Sequence, residues 1–316
     1  MVWSTAQMPD QSGRTALVTG GTGGIGLETA RALADRGARV VLACRDRERG
    51  LAAASRIGGR TQVVRVDLAS LGSVREAALE VRSLLDRLDL LINNAGVMFP
   101  AYRRTEDGFE PHFGVNHLGH FALTGLLLGL MRDVPGSRVV TVASLAHRVA
   151  AHGPGPADVR TAGGHRSVAA YGRSKLANLM FARELQCRLA AAGAETVSVA
   201  AHPGLSATGL WHDGAPGWLR PVSAAALRWL GQSAAGAALP TLRAATDPLV
   251  RGGAYFGPDG VAECDGGAVP ARSSRASHDV IAHIRLWTLS EELTGVRYAR
   301  EAAHQSDRRP LARAAR

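Results

Sequence analysis

Tyr171 and Lys175 stand four residues apart in Tyr171-Gly172-Arg173-Ser174-Lys175, and Lys175 is the only lysine among the chain's 37 lysine and arginine residues. On a helix, positions i and i+4 share one face, so a phenol and an ammonium can enter one site together. A phenol with its ordinary pKa near 10 keeps its proton at neutral pH, and a nearby cation brings that pKa down. Such a pair can give a proton to a carbonyl oxygen or take one from an alcohol. Lysine is compact enough to sit under a phenol and still donate to sugar hydroxyls, which the wide planar fork of arginine is not. The same spacing also arises by chance on a solvated helix face, so its meaning depends on the rest of the chain.

A second set of residues suits phosphate. Thr19-Gly20-Gly21-Thr22-Gly23-Gly24-Ile25-Gly26 follows a strand-like run and opens a helix-like one. Glycines allow the tight turn and the close approach of backbone to a pyrophosphate, and the helix N-terminus adds free N–H groups. Gly20, Thr22, Gly24, Ile25 and Gly26 are the candidate contacts. The next strand ends at Cys44-Arg45. A carboxylate at that place binds the 2′-hydroxyl of NAD, and an arginine accommodates the 2′-phosphate of NADP. Arg45 therefore predicts NADP(H), with Arg47 or Arg49 as helpers. If the strand ran one residue longer, Asp46 would present a carboxylate instead. Asp67 and Leu68 follow the third strand, placed to touch adenine. Asn94, Ala95 and Gly96, in Asn93-Asn94-Ala95-Gly96, follow the fourth, where small residues let the sheet edge lie against a cofactor. The two asparagines also suit an ordinary turn.

These residues need a scaffold. Strand-length apolar runs occur at Thr15–Thr19, Arg39–Cys44, Gln62–Val66, Leu90–Asn93, Arg138–Val142, Thr196–Ala201 and Ala254–Phe256. Helical patterns lie between them at Gly24–Arg36, Asp46–Ile57, Ser70–Asp86, Gly108–Met131 and Ala169–Ala192, with a last one at Ala276–Gly295 around Trp287. Strands apolar on both sides, alternating with helices, imply a parallel sheet covered on both faces. The expected fold is α/β, a doubly wound seven-stranded parallel sheet (Rossmann fold) in a single domain at 13–296. Residues 1–12 are expected to be disordered and 297–316 to form a flexible basic tail. The insertions at 146–168 and 205–232 are expected to be substrate loops.

The chain resembles the short-chain dehydrogenase/reductase superfamily over residues 14–296. The likeness rests on Thr-Gly-x-x-x-Gly-x-Gly, Asn-Asn-Ala-Gly, Val115-Asn116-His117-Leu118-Gly119-His120-Phe121, Ser144, Tyr171-x-x-x-Lys175 and His202-Pro203-Gly204, in the superfamily's order. Ala43–Asp46, Asn116–Phe121 and Tyr171–Asn178 look most like the retinol-dehydrogenase-like group. The resemblance implies that Tyr171 is the acid or base and that Lys175 tunes it and holds the nicotinamide ribose. It implies a substrate-oxygen donor in Ser144 and, in Asn116, a holder of a water that links Lys175 to solvent. Pro203 and Gly204 would shape the loop beside the nicotinamide, and Thr208 would bind its carboxamide or a phosphate. The implied reaction interconverts a ketone or aldehyde with an alcohol. A non-catalytic NADP-binding sensor on the same fold is the alternative.

Composition bounds the rest. The net charge is +10, with six arginines from Arg297 onward against Glu301 and Asp307. No aromatic-interleaved basic stripe accompanies it, so a solvated surface, and no nucleic acid, is expected. Cys44, Cys187 and Cys264 form no paired motif, which fits a reducing cytoplasm. The polar start of the chain carries no signal-peptide pattern, and Leu118–Met131 is too short to span a bilayer, so no membrane is expected. His117, His120, His147, His152 and His165 match no zinc spacing. Val97, Met98, Phe99, Leu145, Leu205, Leu210 and Trp211 are candidate pocket walls, suited to a bulky lipophilic substrate. Leu126, Leu127, Leu130 and Met180 would serve a homodimer seam on the two long helices.

Overall fold

The computed structural model describes residues 3–98, 104–155, 159, 167–204 and 232–298. Eight strands form one sheet: β1 Thr15–Thr19, β2 Arg39–Cys44, β3 Thr61–Arg65, β4 Leu90–Asn93, β5 Arg138–Val142, β6 Val197–Ala201, β7 Tyr255–Pro258 and β8 Ala268–Pro270. Their order is β3-β2-β1-β4-β5-β6-β7-β8. Every pairing is parallel except β7–β8.

Among the described residues, seven helices cover the sheet: α1 Gly24–Asp35, α2 Arg47–Ile57, α3 Leu71–Leu84, α4 Pro111–Leu130, α5 Ser167–Ala191, α6 Ala234–Thr246 and α7 Val280–Thr294. Alternate strand residues face opposite layers. Ala16, Val18, Val40, Leu42 and Ile92 pack with residues of α1, α2 and α6. Leu17, Val41, Val64, Leu91 and Val139 pack with α3, α4, α5 and α7. Strand order reverses between β1 and β4, and ligands of such sheets bind beyond the strand C-termini at that crevice.

The sequence expectation of seven parallel strands falls one short. β8 returns antiparallel to β7 as a three-residue edge strand closed by Pro270, too brief to read as an apolar run. α6 was also missed, because its alanine-rich pattern has Pro240 inside; Ser233 caps its start by accepting from the Gly236 N–H. α4 begins at Pro111 and not at Gly108, because the Glu110 carboxylate caps it and Pro111 takes the first helical position.

Expected disorder at 1–12 does not hold for residues 3–12. Trp3 bridges to Ala268, and Trp3 and Met8 are buried with the α1/α6 layer. Burying two large apolar side chains offsets the entropy of ordering this arm. At the other end, Val296 and Tyr298 pack on the core, while 299–316 lie outside the described residues, as do 205–231 and most of 156–166. The apolar run is longer than expected: α4 has the length and hydropathy to span a bilayer. It lies instead within the core, with Leu118, Phe121 and Leu127 fully enclosed.

Candidate active site

The glycine-rich turn leaves β1 and is tied to β2, where the Gly20 N–H donates to the Ala43 carbonyl at 2.9 Å. Gly20 and Gly24 have φ of 67° and 53°, a region that costs other residues dearly. Gly26 is required by proximity, since a Cβ there would strike the Gly20 carbonyl and the Asn94 side chain. The cap residue before α1 is Gly23, which offers no side-chain cap, so the helix's leading N–H groups are available to an anion. Thr22 and Ile25 flank it, half-buried. This uncapped, backbone-lined cradle fits a pyrophosphate.

Asn94 belongs to the same cradle. Its amide donates to the Thr19 carbonyl at 2.8 Å, and the Thr19 hydroxyl accepts from the backbone N–H of Asn94 and of Ala95 at 2.9 and 3.0 Å. Arg45 is the first residue past β2 and is exposed. Asp46 is occupied: it caps α2 by accepting from the Arg49 N–H at 3.0 Å and lies 3.5 Å from the Arg49 guanidinium. Asp67 is half-buried and accepts from the Ala69 N–H at 2.9 Å. The Leu68 side chain is spent in the core.

The second cluster lies past β5. α5 carries Tyr171, Ser174, Lys175 and Asn178, all buried. Lys175 Nζ donates to the Val142 carbonyl at 3.0 Å and lies 5.8 Å from the centre of the Tyr171 ring. Ser144 caps the 3-10 turn Leu145–Val149 and hydrogen-bonds Tyr171. Asn116 sits in a π turn, Gly114–Leu118, inside α4, a helix irregularity often found at functional positions. Its Oδ1 accepts from the Val97 N–H at 2.7 Å, and its Nδ2 donates to the Val97 carbonyl and to Ser174 Oγ. The Asn116 side chain is thus committed to stapling the loop after β4. A Cβ on Gly96 would lie 3.3 Å from Asn116 Oδ1 and 3.5 Å from Lys175 Nζ, so these three converge.

Burial sets the charges. It pushes the Tyr171 phenol up to about 12, opposed by the hydrogen bond to Ser144, and pulls Lys175 down to about 8. The expected lowering of the phenol by Lys175 is absent. Loss of water around the phenolate outweighs any cation here, and the ammonium is engaged by the Val142 carbonyl. Tyr171 therefore rests as a protonated donor.

Two of the histidines that match no zinc spacing tie distant loops together. His120 bridges the Thr19 hydroxyl (2.9 Å) and the Asn116 carbonyl (3.0 Å), joining the glycine turn to the π turn. His147 lies 2.7 Å from the Ser144 carbonyl and accepts from the Ser274 N–H at 3.0 Å. Their positions in the motif and after Ser144 were visible, but one partner of each, Thr19 and Ser274, is remote in sequence. Among the described residues no group of three His, Cys, Asp or Glu is arranged for a metal. Gly204 turns at φ 69° beside Pro203. Val97, Met98 and Leu145 are half-buried by the cluster. Thr208, Phe99, Leu205, Leu210, Trp211 and His165 lie outside the described residues.

A family model described as short chain dehydrogenase matches residues 14–216. Dehydrogenase/reductase SDR family member 13 of Homo sapiens is 42% identical over 312 residues, covering 95% of this chain and 78% of the relative. Retinol dehydrogenase 13 of Homo sapiens is 41% identical over 294 residues, covering 90% and 85%. Among solved structures, an uncharacterised protein from Mycobacterium paratuberculosis superposes with a TM-score of 0.80 at 39% identity, covering 95% of this chain and all of that one. The Pseudomonas aeruginosa RhlG/NADP active-site complex superposes with a TM-score of 0.60 at 28% identity, covering 77% and 94%.

Proposed function

The chain belongs to the short-chain dehydrogenase/reductase family, in its retinol-dehydrogenase-like group, and from that premise we propose an NADP(H)-dependent reductase of bulky lipophilic ketones or aldehydes. Membership makes it an oxidoreductase of carbonyl and alcohol groups that binds a nicotinamide cofactor and acts on small molecules. The bound cofactor supplies the hydride, two electrons with one proton, to the carbonyl carbon. Tyr171 gives its phenolic proton to the carbonyl oxygen, which leaves as the alcohol. Ser144 donates to that same oxygen and stabilises the charge developing on it. Lys175, pulled by burial down to about 8, still carries its charge at neutral pH. Asn116 and Gly96 hold the loop after β4 against Lys175.

The observation that carries the reading is the convergence of buried Tyr171 and Lys175 with half-buried Ser144 past β5. The NADP preference is supported by Arg45, free and exposed, next to an Asp46 whose carboxylate is taken up by α2. The half-buried apolar Val97, Met98 and Leu145 support a lipophilic substrate.

Titration of the protein and of Arg45→Ala with NADPH and NADH, followed by nicotinamide fluorescence, tests the cofactor. Losing the arginine's charge-assisted bonds to a phosphate should weaken NADPH binding roughly 10- to 100-fold and leave NADH unaffected. Tighter binding of NADH by the unaltered chain would overturn the preference. A carbonyl panel with the preferred nucleotide then tests the substrate class: faster turnover of small polar carbonyls than of hydrophobic ketones would overturn it.

A further inference from the structure

The loop leaving β6, His202-Pro203-Gly204, is held by a side chain 61 residues later in the chain. His202 is fully buried. Its Nδ1 accepts from the Gly204 N–H at 3.2 Å, so the ring proton sits on Nε2. That Nε2–H donates to Glu263 Oε2 at 2.9 Å. Burial pulls the His202 ring down to about 4, which keeps it neutral and in this tautomer at ordinary pH. The other oxygen of Glu263 accepts from Arg148 at 2.6 Å. Arg148 belongs to the 3-10 turn that Ser144 caps and also donates to the Arg272 carbonyl at 3.0 Å.

Glu263 lies in the hairpin between β7 and β8, and the backbone there is strained in the same place. Ala262 and Glu263 have φ of 51° and 58°, the two positive values among the described non-glycine residues. Such conformations persist where surrounding contacts over-determine them. The loop and the hairpin also touch directly. A Cβ on Gly204 would strike the Cys264 carbonyl, and one on Gly257 would strike the His202 ring. An ion pair as exposed as Arg148–Glu263 carries little by itself. The enclosed His202 leg and the strained turn separate this one from a surface contact.

We propose that Glu263 is a positioning residue: through His202 it sets the Pro203-Gly204 loop against which the nicotinamide end of the cofactor lies, and through Arg148 it sets the turn that begins at Ser144. One carboxylate thus ties the hydride side of the site to its proton side. This assignment rests on the reading of the site as a nicotinamide site.

The test compares Glu263→Ala and Glu263→Gln with the unaltered protein for binding of NADPH and of 2′-phospho-ADP-ribose, the same nucleotide without its nicotinamide. If the chain prefers NADH, the pair is NADH and ADP-ribose. Glu263→Ala should weaken the full dinucleotide roughly tenfold, the size of one charge-assisted hydrogen bond, and leave the shortened nucleotide unchanged. Glu263→Gln keeps an acceptor for His202 and should recover most of the loss. Equal weakening of both nucleotides would mean a general structural role and would overturn the assignment, as would no weakening of either. If the unaltered protein bound neither nucleotide, the nicotinamide-site reading would fail and this assignment with it.

Discussion

Tyr171 and Lys175 are both shifted by burial toward their neutral forms, the phenol to about 12 and the ammonium to about 8. The two shifts have unequal consequences at neutral pH. Tyr171 is wholly protonated, and Lys175 remains mostly charged, because 8 still lies above 7. A protonated donor beside a retained cation is the arrangement that reduction needs. Tyr171→Phe should therefore lower carbonyl reduction on the order of 10²- to 10⁴-fold, the usual share of general acid catalysis. NADPH binding should persist within a few-fold, as read by nicotinamide fluorescence. Full reduction by the variant would remove Tyr171 from the donor role. His120 illustrates how a single ring can serve two loops. It touches Thr19 and Asn116, residues that share no local sequence.

At the scale of elements, α7 decides what the two long helices can do. Trp287 of α7 stacks on Phe181 of α5 at 5.9 Å and meets Phe121 of α4 edge-on at 5.1 Å. The Arg188 guanidinium lies 4.2 Å over its ring, and Tyr298 closes the cluster while donating to the Phe121 carbonyl at 2.7 Å. The faces of α4 and α5 that meet α7 are therefore covered from within the chain. Of the residues suggested for a dimer seam, Leu127 and Met180 are buried in this core, and Leu126 and Leu130 pack against it. Trp287→Ala would leave a large void between three helices. It should cost about 3–5 kcal/mol of stability, measured as a lower urea midpoint at unchanged slope. A loss under about 1 kcal/mol would mean that α7 is a loosely attached appendage.

Across the whole molecule, burial holds several histidines neutral. His117 is pulled down to about 3, and His120 and His202 to about 4. Each has its ordinary value near 6.5 in the unfolded chain. Below pH 6.5 the unfolded state gains protons that the folded state refuses, so stability falls with falling pH until the folded values are reached. Urea midpoints should decline from pH 6.5 to 5, a window above the carboxylate range. They should change little between pH 7 and 8 on account of these rings. A flat profile from 6.5 to 5 would mean that the three rings are charged in the folded protein.

Much was legible from residue order. β1, β2, β4 and β5 lie where apolar runs placed them, since a strand buried on both faces is written in consecutive residues. The glycine turn, the Tyr171–Lys175 pair and the end of β2 before Arg45 were local signals too, because φ preferences and helix periodicity act over a few positions. Other features came only with the tertiary structure: the return of β8, the docked arm at Trp3, the commitment of Asn116 to Val97, and the upward shift of Tyr171. Glu263 belongs with them, since no motif marks it and its partners lie at 148 and 202. Hydrogen-bond partners and desolvation depend on which distant segments meet, and that is settled by packing, not by neighbours in sequence.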